Sequence, residues 1–455
     1  MKSQWSYTQR IANHSASFRY VVLSPKAIST AKNILLDTLG AFFAAWPDRH
    51  PVSRLISEFI EQMGGTPECT VFGRSLKVPA ANAALVNGTM GYAADIEGAG
   101  IARIHAAAVF IPTALVMCER QGLDGKTFIA ALALAYDVAA RVSEANRTDG
   151  SYPHSFHPSA VFGTFGAAAI TGYTLSLDAK RFVNAYGLAG NVASGLIAWV
   201  DDPTEHSRSY GIGVAARNGV TAGLLAERGF GGPQGIFDPM KYNIFDAFSG
   251  SMHLEELTQN LGTEFYIERA DGFKQYPCCG DIHSGIDALL KIISEHELHI
   301  GEISQIIHKV KETRRPVIDN NPLRSHCAQY IMAVTAVERE IRWDDFLLDR
   351  RQEEAIGAMS QRVSLIGSPE LAYSPAAAPA IVEVKTNRGE TFSERVDFAK
   401  GRSENPLTQS ELEAKFIKWA IPVVGEVRAL QIISTVQRLE ELTDIRELIE
   451  LMRKP

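Results

Sequence analysis

The spacing of apolar residues changes near residue 265, and this change constrains the fold more than any other feature of the chain. Before it, apolar residues recur every three or four positions, as in the segment that runs from Ile28 to Trp46. This spacing predicts helices, because it gathers the apolar side chains along one stripe. Similar patterns follow at 52–63, 79–93, 104–121, 126–145, 158–175, 178–199 and 211–228. Several are rich in alanine and glycine, which predicts a closely packed and fully buried helical core.

Beyond residue 265, apolar and polar residues alternate. Two alternating runs, 382–386 and 392–396, flank Asn387-Arg388-Gly389, which is a signal for a β-hairpin. Residues 306–310 alternate in the same way, and helical patterns are interspersed at 283–296, 325–340 and 346–360. We therefore expect an α+β domain with a small antiparallel sheet.

The end of the chain returns to a helical pattern. Residues 401–406 are predicted to be a linker, and Thr408 with Glu411 then forms a capping box that starts a helix. We predict a mainly α protein of two parts. A large all-helical domain is built from both chain ends, residues 1–266 and 405–455. A smaller α+β lid domain, residues 267–404, contains the antiparallel sheet.

Charge and cysteine content exclude several classes of function. The 455 residues include 45 basic and 52 acidic side chains, a formal net charge of −7, which argues against nucleic acid or an anionic membrane as the main partner. Five cysteines without a CxxC pair predict neither a zinc ribbon nor a disulfide framework. The first eighteen residues lack an apolar signal segment, and the longest apolar run, 106–118, is too short to span a bilayer. We therefore expect a cytoplasmic protein.

One glycine motif resembles a nucleotide-binding fingerprint. Residues 211–216 read Gly-Ile-Gly-Val-Ala-Ala, but the preceding residues 205–210 are polar, and no hydrophobic strand leads into the turn. Close helix packing explains the small residues better. The sequence contains no P-loop, no G-x-S-x-G elbow and no H-E-x-x-H motif, so the usual signals for nucleotide hydrolysis, serine esterase chemistry and zinc peptidase chemistry are missing.

Several polar residues lie where their surroundings are unusually apolar or rich in glycine. They are Asp95, His105, His157, Lys274 and His283, followed by His326 and Tyr330, which are four residues apart on one predicted helical face. A single histidine of this kind is more often a hydrogen-bonded structural residue than a catalyst. Together they predict a cleft between the two domains.

At these residues the sequence resembles the MmgE/PrpD family along its whole length. The most specific matches are Asn87-Gly88-Thr89, His157-Pro158 with the glycine-rich run 163–169, Lys274 with Tyr276-Pro277-Cys278-Cys279, and 326–330. The resemblance implies a helical domain, a lid domain and an active site between them. It also implies a homodimer that acts on small di- or tricarboxylates without a metal or an organic cofactor.

The resemblance assigns catalytic roles to five residues: Asp95, His105, His157, Lys274 and Tyr330. This chain departs from the family pattern at several places. Ala99 replaces a threonine, Ala106-Ala107 replaces proline-serine after His105, Arg208 replaces a lysine, and Gly211 replaces a histidine. An arginine binds carboxylate with two parallel hydrogen bonds and cannot act as a base at neutral pH. We therefore predict that Arg208 and Arg103 bind substrate carboxylates.

These departures favour epimerisation over dehydration, because dehydration also needs an acid for the departing hydroxyl. We expect a cofactor-independent isomerase of an iminodisuccinate-like aminopolycarboxylate. Lys274 would be the first base, if burial and Arg208 lower its pKa, and Tyr330, His105 or His157 would act on the other face. The alternatives are a hydro-lyase that acts on a hydroxy di- or tricarboxylate such as 2-methylcitrate, and a non-catalytic relative that only binds carboxylates.

Overall fold

Helices make up most of the first half of the protein. The computed structural model describes residues 6–148 and 153–453. Its first ten α-helices are α1 (Tyr7–Ser17), α2 (Pro25–Ala44), α3 (Pro51–Met63), α4 (Ala80–Ala93), α5 (Ala106–Gln121), α6 (Gly125–Ala145), α7 (Pro158–Thr174), α8 (Ala179–Val192), α9 (His206–Glu227) and α10 (Ile244–Phe248). The short strands β1 (Cys69–Val71) and β2 (Leu76–Val78) pair antiparallel between α3 and α4.

A four-stranded sheet and four helices follow. The helices are α11 (His283–Glu295), α12 (Arg315–Ile318), α13 (Ala328–Glu338) and α14 (Glu354–Ser360), and the strands are β3 (Ile303–Val310), β4 (Val363–Gly367), β5 (Ala380–Thr386) and β6 (Thr391–Val396). The strand order is β4-β3-β5-β6. The predicted hairpin is confirmed, since β5 and β6 pair antiparallel around Gly389, whose φ of 85° favours glycine. The sheet is mixed and not purely antiparallel, because β4 runs parallel to β3. The helical crossover α12–α14 between them makes this parallel pairing possible.

The C-terminal helices pack against the first part of the chain. They are α15 (Gln409–Val424), α16 (Glu426–Gln437) and α17 (Arg446–Leu451). The predicted capping box is confirmed: the backbone amide of Thr408 donates to Glu411 Oε2 (2.7 Å), and that of Glu411 donates to Thr408 Oγ1 (3.3 Å). The ring of Phe416 on α15 lies 5.8 Å from that of Phe43 on α2.

The chain has two hydrophobic cores. The first contains buried side chains from α1–α10 and from α15–α17, and the second contains side chains from α11–α14 and β3–β6. We call these parts the helical unit and the α+β unit. The mainly α fold with a smaller α+β part is confirmed, and the predicted limits at 266/267 and 404/405 stay a prediction. Within the described residues, no helix is both long and apolar enough to cross a membrane.

Glycines let α4 and α9 approach each other closely. A Cβ atom on Gly213 would lie 2.2 Å from Thr89 Oγ1 and 2.3 Å from the carbonyl oxygen of Leu85, and one on Gly88 would lie 3.0 Å from Gly213 Cα. Gly213 and the buried Ala215 and Ala216 therefore serve helix packing, as the sequence indicated for this motif, whereas Gly211 has open space around it. This contact packs the middle of α4 against the first turns of α9, and Tyr92, near the end of α4, lines the cavity described below.

Two alanine substitutions in α9 test this contact. Gly213→Ala is expected to lower the free energy of unfolding by about 1–3 kcal/mol, because its methyl group overlaps the α4 backbone. Gly211→Ala is the matched control, since nothing lies within 4 Å of its Cβ position. The control should be neutral or more stable by up to about 1 kcal/mol, because alanine favours helix. Denaturant unfolding measures both, and equal effects would contradict the packing role of Gly213.

Candidate active site

A cavity of about 640 Å³ lies between the helical unit and the α+β unit. One wall is the segment that connects α4 to α5, residues 95–105. The opposite walls come from the connection 272–274, from the residues before α11, and from the loop 397–404 after β6. Arg314 and His326 also line the cavity. Three of the sequence-predicted catalytic residues line this cavity: Asp95, His105 and Lys274.

The segment 95–105 has an unusual backbone. Asp95, Ala99, Ala102 and Arg103 all have positive φ, between 48° and 66°, which is uncommon outside glycine. Such residues cost of order 1–3 kcal/mol each and persist only where the surroundings hold them. Here the amide of Ala99 donates to the carbonyl of Gly272 at 2.5 Å. Strained backbone of this kind concentrates at functional sites, and this segment carries two of the predicted catalytic residues.

Asp95 lies between two cations. Its Oδ1 atom is 2.5 Å from Lys274 Nζ and 2.9 Å from Arg208 Nη1, and its side chain is only 4% exposed. Burial would raise the pKa of Asp95, but the charges of Arg208 and Lys274 outweigh burial and hold that pKa well below its usual range. Asp95 is therefore a carboxylate throughout the neutral range.

Lys274 is held as an ammonium ion. Burial would lower its pKa, but the carboxylates of Asp95 and Glu97 outweigh burial, so the pKa of Lys274 is raised. Glu97 Oε1 lies 4.0 Å from Lys274 Nζ, and Asp95 contributes its backbone carbonyl at 3.2 Å as well as its carboxylate. The lowered pKa that we expected from burial and Arg208 is wrong, because the charges of Asp95 and Glu97 outweigh both burial and the charge of Arg208.

Arg208 supports Asp95 from behind and does not line the cavity. Its side chain is 1% exposed, its Nε atom is 3.3 Å from Glu205 Oε2, and its guanidinium lies 4.4 Å from the centre of the Tyr92 ring. Glu205 itself has a φ of 64° at the start of α9. The structure thus places the expected substrate anchor in an internal ion-pair network.

His105 faces the cavity with Glu97 behind it. Its side chain is 37% exposed, and its Nδ1 atom is 3.2 Å from Glu97 Oε1, whereas Glu97 is fully buried. The backbone amide of His105 donates to Ser159 Oγ at 2.9 Å, which fixes the start of α5. A carboxylate on one ring nitrogen orients the imidazole and leaves the other nitrogen for proton transfer.

Two further histidines contact Trp199. The ring of His157 is 5.3 Å from the Trp199 ring, and the ring of His326 is 5.4 Å from it. Burial, together with neighbouring positive groups, lowers the pKa of each histidine to about 3, so both imidazoles are neutral. His326 lines the cavity, whereas His157 does not.

The structure does not bring Tyr330 to this group. Its buried hydroxyl donates to the backbone carbonyl of Asp345 at 2.6 Å, and it is absent from the cavity wall. The predicted shared face with His326 is wrong, because His326 ends a separate short turn, residues 324–326, and α13 begins only at Ala328.

Arg103 lies at the cavity wall, and its predicted role as a substrate anchor stays a prediction. Its Nη2 atom donates to the backbone carbonyl of Ser143 at 2.6 Å, and no carboxylate of the described residues forms an ion pair with it.

Sequence reasoning missed Glu97, and it gave His326 no role in the site. His326 stands inside the matched motif 326–330, so its position in the sequence was a usable signal, whereas Glu97 lies in a segment that departs from the family pattern. The second oxygens of Asp95 and Glu97, Oδ2 and Oε2, are buried and have no hydrogen-bond partner among the described residues. Among all described residues, no group of three or more histidine, cysteine, aspartate or glutamate side chains is arranged to hold a metal ion.

Comparison with known proteins finds two family domains that together cover most of the chain. Residues 9–257 match the MmgE/PrpD N-terminal domain, and residues 276–441 match the MmgE/PrpD C-terminal domain. Cis-aconitate decarboxylase of Homo sapiens is 25% identical over 470 residues, covering 99% of this chain and 95% of the relative. The Mus musculus enzyme is 24% identical over 465 residues (99% and 94%), and that of Aspergillus terreus is 24% identical over 484 residues (98% and 96%). Because the two domain matches cover most of its length, the chain belongs to the MmgE/PrpD family.

Proposed function

We propose that this protein is an enzyme that removes or adds a proton at the carbon next to a carboxylate of a small polycarboxylate. One observation carries the proposal: the Lys274 ammonium and the partly exposed His105 line the same cavity and are linked through Glu97. Proton transfer next to a carboxylate needs a group that moves the proton and a cation that stabilises the developing enolate.

Lys274 supplies the cation in this proposal. Its raised pKa keeps it protonated at neutral pH, so it stabilises negative charge instead of abstracting a proton. Asp95 and Arg208 fix its position before substrate arrives. A fixed charge of this kind needs no rearrangement when the transition state forms.

Histidines move the proton. His105 is oriented by Glu97, and His326 presents a neutral imidazole to the same cavity, with its Nδ1 atom 2.9 Å from Ser325 Oγ. Epimerisation needs one proton-transfer group on each face of the carbon, and these two histidines come from different units of the fold. We propose that they act on opposite faces.

The specific reaction that we propose is epimerisation of an aminopolycarboxylate such as iminodisuccinate. Ala99 in place of a threonine supports it, because its methyl group offers no hydroxyl to help a leaving group depart.

A lyase reaction is the second candidate. The observation that favours it is the similarity to relatives named cis-aconitate decarboxylase along almost the entire chain. Decarboxylation also passes through a carbanion next to a carboxylate, so the same cation and the same proton donor would serve it. The departures at Ala99 and Arg208 distinguish this chain from the family pattern and keep epimerisation as the first candidate.

Incubation in heavy water tests the proposal. Iminodisuccinate, cis-aconitate and 2-methylcitrate are each incubated with the enzyme and followed by proton NMR. Loss of the signal next to a carboxylate without a new olefinic signal is expected for the first acid. A decarboxylated or dehydrated product from the other two would establish the lyase instead. No change in any acid, while the acids still bind, would contradict an enzymatic role.

Lys274→Met is expected to lower turnover by ~10²–10³ while preserving the fold, because it removes the preformed cation. Wild-type turnover should not increase between about pH 7 and about pH 9, since an ammonium with a raised pKa stays charged there. A lysine base would instead become more active as pH rises. Lys418→Met is the control, because Lys418 pairs with Glu340 at an exposed site. A tenfold rise in rate per pH unit would show that the lysine is the base.

Chelation is expected to leave the reaction unchanged. The described residues present no cluster of three or more metal-ligating side chains, and the proposed roles need only protein cations. Turnover is measured before and after dialysis against EDTA, with a known zinc enzyme treated in parallel. Complete loss that a single divalent ion restores would contradict the prediction.

A further inference from the structure

Among the described residues, five lysine and arginine side chains line the cavity, and two of these have no carboxylate partner there. Lys274 pairs with Asp95, Arg314 lies 3.7 Å from Asp281, and Lys400 lies 2.9 Å from Glu411. Arg103 and Arg402 form no such ion pair with the described residues. An unpaired guanidinium on a cavity wall is available to an anionic ligand.

The backbone fixes Arg402 close to Lys274. The amide of Phe273, the residue before Lys274, donates to the carbonyl of Gly401 at 2.6 Å. Gly401 has a φ of 90°, and a Cβ atom there would lie 1.9 Å from the carbonyl oxygen of Phe273. The two cations therefore extend from backbone segments in direct contact, one entering the α+β unit and the other leaving it.

The guanidinium of Arg402 is held in place by one neutral contact. Its Nη2 atom donates to the backbone carbonyl of Gly280 at 2.8 Å, at the loop before α11. A Cβ atom on Gly280 would lie only 3.1 Å from that nitrogen, so the glycine leaves room for the guanidinium. An arginine carries five N–H donors, and one carbonyl contact leaves most of them for a ligand.

We propose that Arg402 binds a second carboxylate of the substrate, one that does not react, and so selects polycarboxylates over monocarboxylates. The reacting carboxylate lies at Lys274, and the second extends toward the loop 397–404. This inference rests on the proposed function. It assigns the distal anchor to the α+β unit, whereas Arg208, the anchor expected from sequence, is committed to Asp95 and Glu205.

The competing explanation is structural. Arg402 could serve only to tie the loop 397–404 to Gly280. In that case its loss would lower stability and would weaken all ligands equally. Selectivity between acids of increasing charge distinguishes the two roles, because only a substrate anchor acts on one carboxylate and not on another.

Binding of three unreactive acids tests the inference. Butyrate, glutarate and tricarballylate carry one, two and three carboxylates, and calorimetry gives the dissociation constant of each for the full-length enzyme. Arg402→Gln is expected to weaken tricarballylate and glutarate roughly ten- to a hundredfold, the value of a charged hydrogen bond, and to leave butyrate unchanged. Arg402→Lys should show a smaller loss, because it retains the charge without the bidentate geometry. Arg388→Gln, an exposed hairpin arginine near Glu302, is the charge-matched control and should bind as wild type does.

Other results of these binding measurements would contradict either the proposed function or the role of Arg402. Wild-type enzyme that binds none of the three acids would overturn the proposed function, and this inference with it. Wild-type enzyme that binds tricarballylate, together with an Arg402→Gln variant that binds it equally well or loses all acids equally, would overturn the anchor alone. If Arg402→Gln does not fold, as thermal unfolding would show, Arg402→Lys decides the question by the same selectivity.

Discussion

One buried carboxylate, that of Asp95, connects the parts of the molecule that form the site. It follows α4, it pairs with Arg208 at the start of α9, and it pairs with Lys274 where the chain enters the α+β unit. A buried charge is costly unless it is paired, and removal of one partner leaves an uncompensated charge behind. The glycine contact between α4 and α9 brings the first two groups together. The close packing of small residues between α4 and α9 therefore makes the buried ion pair between Asp95 and Arg208 possible.

The end of the chain supports this arrangement from the other side. Lys415 on α15 lies 2.5 Å from Asp37 on α2 and donates to the backbone carbonyl of Ile96, while the amide of Gly98 donates to the same aspartate at 2.7 Å. These bonds hold the strained segment 95–105 near its start. The C-terminal helices thus do more than extend the hydrophobic core. They also bring the Lys415 ammonium to the backbone between Asp95 and His105. Burial raises the pKa of Asp37, which shows how strongly this carboxylate depends on its partners.

Local patterns predicted the fold well, because helices, the Thr408 cap and the Gly389 hairpin depend on neighbouring residues. The parallel pairing of β4 was not predicted, because pairing across a long crossover leaves no local signal. At the site, Asp95, His105 and Lys274 were found through motifs, yet the protonation of Lys274 depends on the charged groups around it, which only the tertiary structure brings together. Tyr330 was misplaced because a four-residue spacing indicates a shared face only if one helix covers both positions. A homodimer and a cytoplasmic location stay predictions.

The division between paired and unpaired cations has a further consequence for how a polycarboxylate enters. The chain carries a net charge of −7, so its overall field does not attract an anion, and local groups must do so. Arg208 and Lys274 are charged but already paired with carboxylates. This pairing fixes their positions and reduces their long-range attraction for an anion. Arg103 and Arg402 lack such partners among the described residues and extend from different units of the fold. Under the proposed function, Arg103 and Arg402 would therefore attract the anion. Lys274, which lines the same cavity, would instead hold its charge in a fixed position beside the reacting carbon.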